Sequence, residues 1–143
     1  MLNLKELRDS DFIQCRQQVL RQWPHDLPLT VNAIAEATIA AGAPRYYVSH
    51  LHGMRMLCRL RRGERVGEPG SAVSSQWDEI LAKVDDLRAR NPWLTDDTAL
   101  ARVLAFERAS RFFISPAYAV RLAQSITATR RNPARHRHHR PTQ

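Results

Sequence analysis

Apolar residues recur along the chain at spacings of three, four and seven, the pattern of helices that each bury one face. Leu4, Leu7, Phe12, Ile13, Val19 and Leu20 trace such a face through residues 1–22, and Asp9-Ser10-Asp11 is placed to cap a second helix starting near residue 10. "QWPHDLPLT" then interrupts, because two prolines in five residues do not fit inside one helix. Thr30 is a good N-cap for a helix carrying Ile34, Ala37, Ile39 and Ala41, which stops near Gly42. The next helical pattern runs to about Arg62. It places Leu51, Met54 and Cys58 on one side, with Leu57 and Leu60 adjoining, and a polar stripe of His52, Arg55, Arg59 and Arg62 on the other.

"RRGERVGEPGSAVSS", rich in glycine and serine, reads as a flexible linker, and the plan then repeats. Trp77, Ile80, Leu81, Val84 and Leu87 predict a helix, "ARNPWLTDD" breaks it, and Thr95 caps a further helix with Asp96 and Asp97 in its first turn. Leu100, Val103, Leu104 and Phe106 form its core face. The clearest sign of repetition is a phrase written twice, "APRYYVSHLHGMRML" at 43–57 and "ASRFFISPAYAVRLA" at 109–123. Arg45, Tyr46, Tyr47, Val48, Ser49 and Arg55 stand 66 residues before Arg111, Phe112, Phe113, Ile114, Ser115 and Arg121, while Leu29-Thr30 and Leu94-Thr95 correspond at 65. No β-alternation of any length occurs. The expectation is an all-α protein of two related helical units, 1–62 and 76–128, joined by a linker at 63–75 and followed by a disordered basic tail at 129–143.

Charge adds a candidate partner. The formal net charge of the 143-residue chain is +8, concentrated in two runs. Residues 129–143 hold five arginines and no acid, and residues 55–65 hold five arginines against Glu64, so the rest of the chain is close to neutral. Such local basicity suits a polyanion, nucleic acid first and an anionic surface second, with DNA the expected nucleic acid and RNA the alternative. The stripe of Arg55, Arg59 and Arg62, with Arg61 close by, has no acid on its own helix and suits phosphate contact, and Arg130, Arg131, Arg135 and Arg137 of the tail add sequence-independent contacts. Because the matching final helix of the second unit keeps only Arg121, the footprint is expected on the first unit alone.

The stretch 33–51, "AIAEATIAAGAPRYYVSHL", resembles the bacterial helix-turn-helix DNA-binding superfamily. Gly42 falls on the turn glycine, Thr38 on the usually small position, and Ala37, Ala41, Ala43, Val48 and Leu51 on the apolar positions that lock the two helices. The resemblance implies a recognition helix with Pro44 in its first turn, and Arg45, Tyr46, Ser49, His50 and His52 facing bases or phosphates. The second copy suggests a different local structure. Pro116 would fall in the middle of a recognition helix, whereas Ser115 as N-cap with Pro116 at the first helical position is unstrained. In that register Ser49 is also an N-cap and "RYYV" and "RFFI" are extended connectors. Each Arg then holds helix-end carbonyls or an acid of its own unit. Tyr47 and Phe113 are the expected core plugs, and Tyr46 and Phe112 could equally stack on bases.

Other classes find little support. The chain lacks a glycine-rich phosphate loop, H-E-x-x-H and G-x-S-x-G, and its adjacent Asp pairs point to different helix faces, so no enzyme is expected. Tyr46 or Tyr47 as a nucleophile on DNA would lack the rest of a recombinase. "HRHH" at 136–139 has no second ligand cluster, so no metal or other cofactor is expected. Cys15 and Cys58 form no metal-type or redox pair, Cys58 reads as a buried thiol, and no stretch has the length of a signal peptide's apolar core or of a membrane span. The reading is a cytoplasmic DNA-binding regulator or accessory factor, as of a mobile element or the bacterial chromosome. The alternative is a non-catalytic helical scaffold or adaptor binding a protein partner, or a second copy, through its duplicated units.

Overall fold

The computed structural model describes residues 3–131, with the side chains beyond Ser125 excepted. It is all-helical. Among the described residues there are six helices in chain order: α1 (Leu4–Arg21), α2 (Val31–Ala40), α3 (His50–Arg61), α4 (Ala72–Arg90), α5 (Asp96–Phe106) and α6 (Pro116–Arg131).

Local chemistry fixes each helix start. Thr30, Ser49, Ser71 and Thr95 are extended N-caps whose side chains accept from the backbone N–H three residues on, and Asn3 does so within a reciprocal capping box with Glu6. Ser115 Oγ accepts from Tyr118 N at 3.1 Å, ahead of Pro116 at the first position of α6. Such a cap stabilises a helix start by ~1 kcal/mol. Two expectations change here. Helix α1 is continuous through Asp9-Ser10-Asp11, since its capping box already supplies the start. Thr129–Arg131, assigned by sequence to the tail, continue the backbone of α6, and the rest of the tail lies outside the described residues.

The connectors settle the choice left open above. Residues 41–49 and 107–115 are non-helical, and both Ser49 and Ser115 are caps. The two connectors meet. Ala43 N donates to Ala109 O at 3.1 Å and Ala109 N donates to Ala43 O at 3.0 Å, an isolated antiparallel bridge between residues 66 apart. Both alanines are buried. Gly42 takes φ of +94°, a left-handed conformation that favours glycine at the turn into the crossing. The aromatics cross in the same reciprocal way. Tyr46 stacks on Phe113 and Tyr47 on Phe112, both at 6.4 Å between centroids.

Past this crossing each chain segment delivers its next helix to the opposite half. Helix α3 packs on α5 and α6 packs on α2, while α1–α2 and α4–α5 pack within their own halves. The approach of α3 to α5 uses Gly53, where an added Cβ would meet Leu100 at 3.0 Å. The result is one shared core around Phe12, Leu57, Ile80, Leu100, Val103 and Phe112. Val66 of the linker is buried in it, so the glycine-rich stretch is tied down rather than a loose tether.

The burial of the aromatics reverses the expectation. Tyr46 (2 % exposed) and Phe112 are the core plugs, and Tyr47 and Phe113 are half-buried. On α3 the buried positions are Gly53, Met56 and Leu57, with Leu51 64 % exposed and the free Cys58 exposed, a face rotated from the one read in the sequence.

Glu79 of α4 fastens the crossing. It accepts from the Tyr46 hydroxyl at 2.6 Å, from Ser110 N at 3.0 Å and from Ser110 Oγ. Burial opposes its ionisation, but the Ser110 and Tyr46 hydrogen bonds outweigh it and hold the carboxyl below its ordinary pKa. Burial, then the bond to Glu79, pushes the Tyr46 phenol up. Glu79→Ala leaves the buried Tyr46 hydroxyl without its acceptor and should cost about 1–3 kcal/mol. Tyr46→Phe, which leaves Glu79 with Ser110, should cost less, about 1 kcal/mol. Urea unfolding of the two variants checks the order, and a Glu79→Ala protein as stable as the parent would remove Glu79 from this role.

Candidate nucleic-acid interface

Helix α3 begins at Ser49 because that side chain caps it, so the exposed row His52, Arg55, Arg59 and Arg62 lies along one helix face as the spacing requires. The structure supplies the acids that α3 lacks. Arg59 Nε lies 3.0 Å from Glu64 Oε1 and Arg62 Nε 2.9 Å from Glu64 Oε2, so one carboxylate just past the helix end holds both. Those hydrogen bonds, from Arg59 first and Arg62 second, keep Glu64 below its ordinary pKa.

Arg61 turns away from the row to join α3 to the second half. Its Nε and Nη2 donate to Asp96 at 3.2 and 2.9 Å, and Nη2 lies 2.6 Å from Asp85. Arg88 Nη1 adds a 2.7 Å contact to the same Asp96 oxygen. The hydrogen bonds to Asp96 and Asp85 push the Arg61 pKa up, and the Arg61 hydrogen bond, more than burial opposes it, pulls Asp96 down. This is a correction to the expectation of uncancelled guanidiniums. Arg61 is an interhelix tie, Arg59 and Arg62 share a carboxylate, and Arg55 alone of the stripe has no ion-pair partner among the described residues.

The residues assigned to a recognition helix are also redistributed. Nine residues separate α2 from α3, so Arg45 and Tyr46 lie on the connector and Ser49 at its end. Tyr46 is buried and bonded to Glu79, which removes it from any base-stacking role. Ser49 Oγ is occupied by His52 N at 3.2 Å. The His50 ring lies 2.7 Å from Asp97 of α5. The Tyr47 hydroxyl donates to Asp11 at 2.6 Å, and its pKa rises through burial and then that bond. The side chains of Arg130, Arg131, Arg135 and Arg137 lie outside the described residues.

A different set of basic groups converges at the crossing. Arg45 and Arg111, the equivalent arginines of the repeated phrase, line one pocket of about 250 Å³ together with Arg8 of α1, His52 of α3, and Gln76 and Trp77 of α4. Its walls include the Tyr46–Phe113 stack, and no carboxylate lines it. Arg45 is half exposed, with its Nε 4.0 Å from Asp11. Arg8 is held by Asp9 at 3.2 Å and lies over the Tyr118 ring at 5.1 Å. Arg111 is exposed and has no hydrogen-bond or ion-pair partner among the described residues. The His52 ring meets the Trp77 ring edge-on at 5.7 Å. Arg8, Gln76, Trp77 and Arg111 were not singled out as site residues from sequence. The Arg45–Arg111 pairing at 66 residues was the available signal, and only the meeting of the connectors turns it into proximity.

Among the described residues no group of His, Cys, Asp or Glu is arranged to hold a metal, and no helix is long and apolar enough to cross a membrane. No protein-family model, curated protein or solved structure matches the chain, so the reading of this site rests on its own geometry.

The Arg61–Asp96–Arg88 tie gives a pH test. The folded pKa of Asp96 lies below its ordinary 3.8, so its stabilisation is complete above that value and is lost as pH falls through the depressed one. With both side chains partly exposed, Asp96→Asn should cost about 1 kcal/mol at neutral pH. The gap to the parent should close on acidification. Urea midpoints across the acid range check this, and a gap that persists in strong acid would exclude the ion-pair origin.

Proposed function

We propose that the protein binds nucleic acid, DNA first, through phosphate contacts centred on Arg45, Arg111, His52 and Arg55. The observation that carries this reading is the pocket that gathers Arg45 and Arg111 with no carboxylate in its lining. His52 lies on its rim, and Arg55 stands one helical turn further along α3, so the pocket and the stripe form one basic track. Arg59 and Arg62 extend the track. Their shared bond to Glu64 is an exposed surface ion pair, weakened by solvent screening, which a phosphate can replace at little cost. Arg61 stays in its tie to Asp85 and Asp96 and lies outside the footprint.

The same reading includes an internal duplication. Its support is the reciprocity at the crossing, where bridge, stacks and helix exchange all relate residues about 66 apart. The footprint then draws on both copies, because their equivalent arginines meet. A protein-binding adaptor is the second reading, favoured by Trp93 and Phe106, which are 76 % and 81 % exposed.

A random duplex should be shifted at low salt and released steeply as salt rises, with a log–log slope near −0.9 per neutralised phosphate. Combined Arg45→Gln, Arg55→Gln and Arg111→Gln substitution should flatten that slope by about 2–3. Glu64→Gln should strengthen binding by releasing Arg59 and Arg62. A parent protein that ignores duplex at low salt overturns the DNA reading, and capture of a defined protein by a chain bearing intact Trp93 and Phe106, lost on Trp93→Ser with Phe106→Ser, would establish the adaptor in its place.

A further inference from the structure

We propose that the pocket at the crossing is a seat for a single phosphoryl group, gripped between Arg45 and Arg111. The inference rests on the nucleic-acid reading only for the source of the group, which is either the phosphorylated end of a strand or a free phosphorylated small molecule.

The first argument is shape. Residues from α1, both connectors, α3 and α4 line the space, so it is a partly open recess bordered by five chain segments. The backbone of an intact duplex is a continuous rail and can lie across the mouth of a recess but not enter it. A terminal or free phosphate can enter. The volume, about 250 Å³, is close to the lower end of small-ligand sites and suits a phosphoryl group with a small appended body.

The second argument is charge and donor geometry. A phosphate monoester carries close to two negative charges and three acceptor oxygens, and a guanidinium fork can engage two of them at once. Arg45 and Arg111 arrive from opposite connectors and therefore present two forks to one volume. Asp11 lies 4.0 Å from Arg45 Nε and Asp9 holds Arg8 at 3.2 Å, whereas Arg111 has no hydrogen-bond or ion-pair partner among the described residues. His52 and Gln76 provide further polar groups on the lining, and Val73 and Phe113 an apolar wall for whatever the phosphate is attached to.

The third argument is strain. Tyr47 has φ of +59°, the one non-glycine residue with positive φ among the described residues, and a bulky side chain is rarely found there. It lies in the pocket wall, two residues after Arg45, and its hydroxyl is tied to Asp11. Local strain of ~1–3 kcal/mol is retained where surrounding structure enforces it, and such positions cluster at ligand sites. Here the left-handed turn lies between the guanidinium of Arg45 and the half-buried Val48 on the way into α3.

The test uses the full chain and four probes: inorganic phosphate, deoxythymidine 5′-monophosphate, deoxythymidine, and one duplex made with and without 5′-phosphates. Arginine Nε–H signals followed by NMR should move for Arg45 and Arg111 with the two phosphate probes and stay still with the nucleoside. Arg111→Gln and, separately, Arg45→Gln should each weaken monophosphate binding about ten-fold or more with helicity retained, and Arg111→Lys should recover only part. A duplex bound about ten-fold tighter when 5′-phosphorylated assigns the seat to strand ends. Equal binding of both duplexes, with the monophosphate still bound, assigns it to a free phosphorylated molecule. Monophosphate binding without any duplex shift keeps the seat and removes the nucleic-acid function. If neither phosphate probe moves either arginine signal in the parent up to about 10 mM, the proposal is overturned, whatever the duplex does.

Discussion

The two backbone hydrogen bonds between Ala43 and Ala109 are the constraint on which the rest of the molecule depends. They bring the chain past itself at a point where both residues are buried alanines. Because each connector crosses there, α3 is delivered to α5 and α6 to α2, and neither half can complete its core from its own helices. The half-molecule interfaces are thus the interior itself. Glu79 shows how the crossing is reinforced. A carboxylate of α4 accepts from the hydroxyl of Tyr46 on one connector and from the backbone and side chain of Ser110 on the other, so three donors compensate its charge, with Lys83 a longer ion-pair partner at 3.9 Å.

The same constraint sorts the arginines. Bringing α3 against the second half places Arg61 beside Asp85 and Asp96, which are far from it in sequence, and turns a surface charge into a tie. Glu64, at the start of the linker, folds back onto Arg59 and Arg62. Charge that looks like one uniform face along the helix therefore divides into groups with different energetic commitments. Arg61 has two acids and a geometry that phosphate cannot improve, Arg59 and Arg62 share one exposed acid, and Arg55 and Arg111 have no ion-pair partner among the described residues. On the proposed nucleic-acid reading, net charge sets the attraction and these commitments select the contact site.

Features with a local cause were legible in the sequence. Helix starts follow from side chains reaching three residues ahead, so Thr30 and Thr95 could be read directly, and Pro116 pointed to the caps Ser49 and Ser115 while the choice between helical and extended connectors stayed open. Trp77, Ile80 and Val84 turned inward as their spacing implied. Features with a distant cause were not. Which face of α3 is buried depends on α5, and the helix exchange rotates Met56 and Leu57 inward and leaves Leu51 and Cys58 outside. Whether Tyr46 or Tyr47 plugs the core depends on the left-handed turn at Tyr47, a conformation no propensity assigns to tyrosine. The acids that neutralise the stripe were sought on its own helix, whereas they come from the linker, α4 and α5.

The position of the pocket explains why a phrase written twice contributes to one site here and not two. The recess lies where the two connectors meet, so each occurrence of the phrase supplies residues to the same space. Arg45 and Arg111 are such a pair, as are Tyr47 and Phe113, and all four line it. Arg8 and Gln76 extend the pattern, standing equally far past the N-caps Asn3 and Ser71 of α1 and α4. The pairs differ in how alike they are, with two arginines, tyrosine set against phenylalanine, and arginine set against glutamine. His52 and Tyr118, 66 residues apart, are less alike, since His52 lines the pocket while Tyr118 bonds Asp9 at 2.6 Å. The pair with identical side chains, Arg45 and Arg111, is the one that gives the recess two guanidiniums. An expectation framed around one copy as binder and the other as packing could not contain this, because the meeting of the two connectors makes the cationic end of each repeated phrase half of the same site.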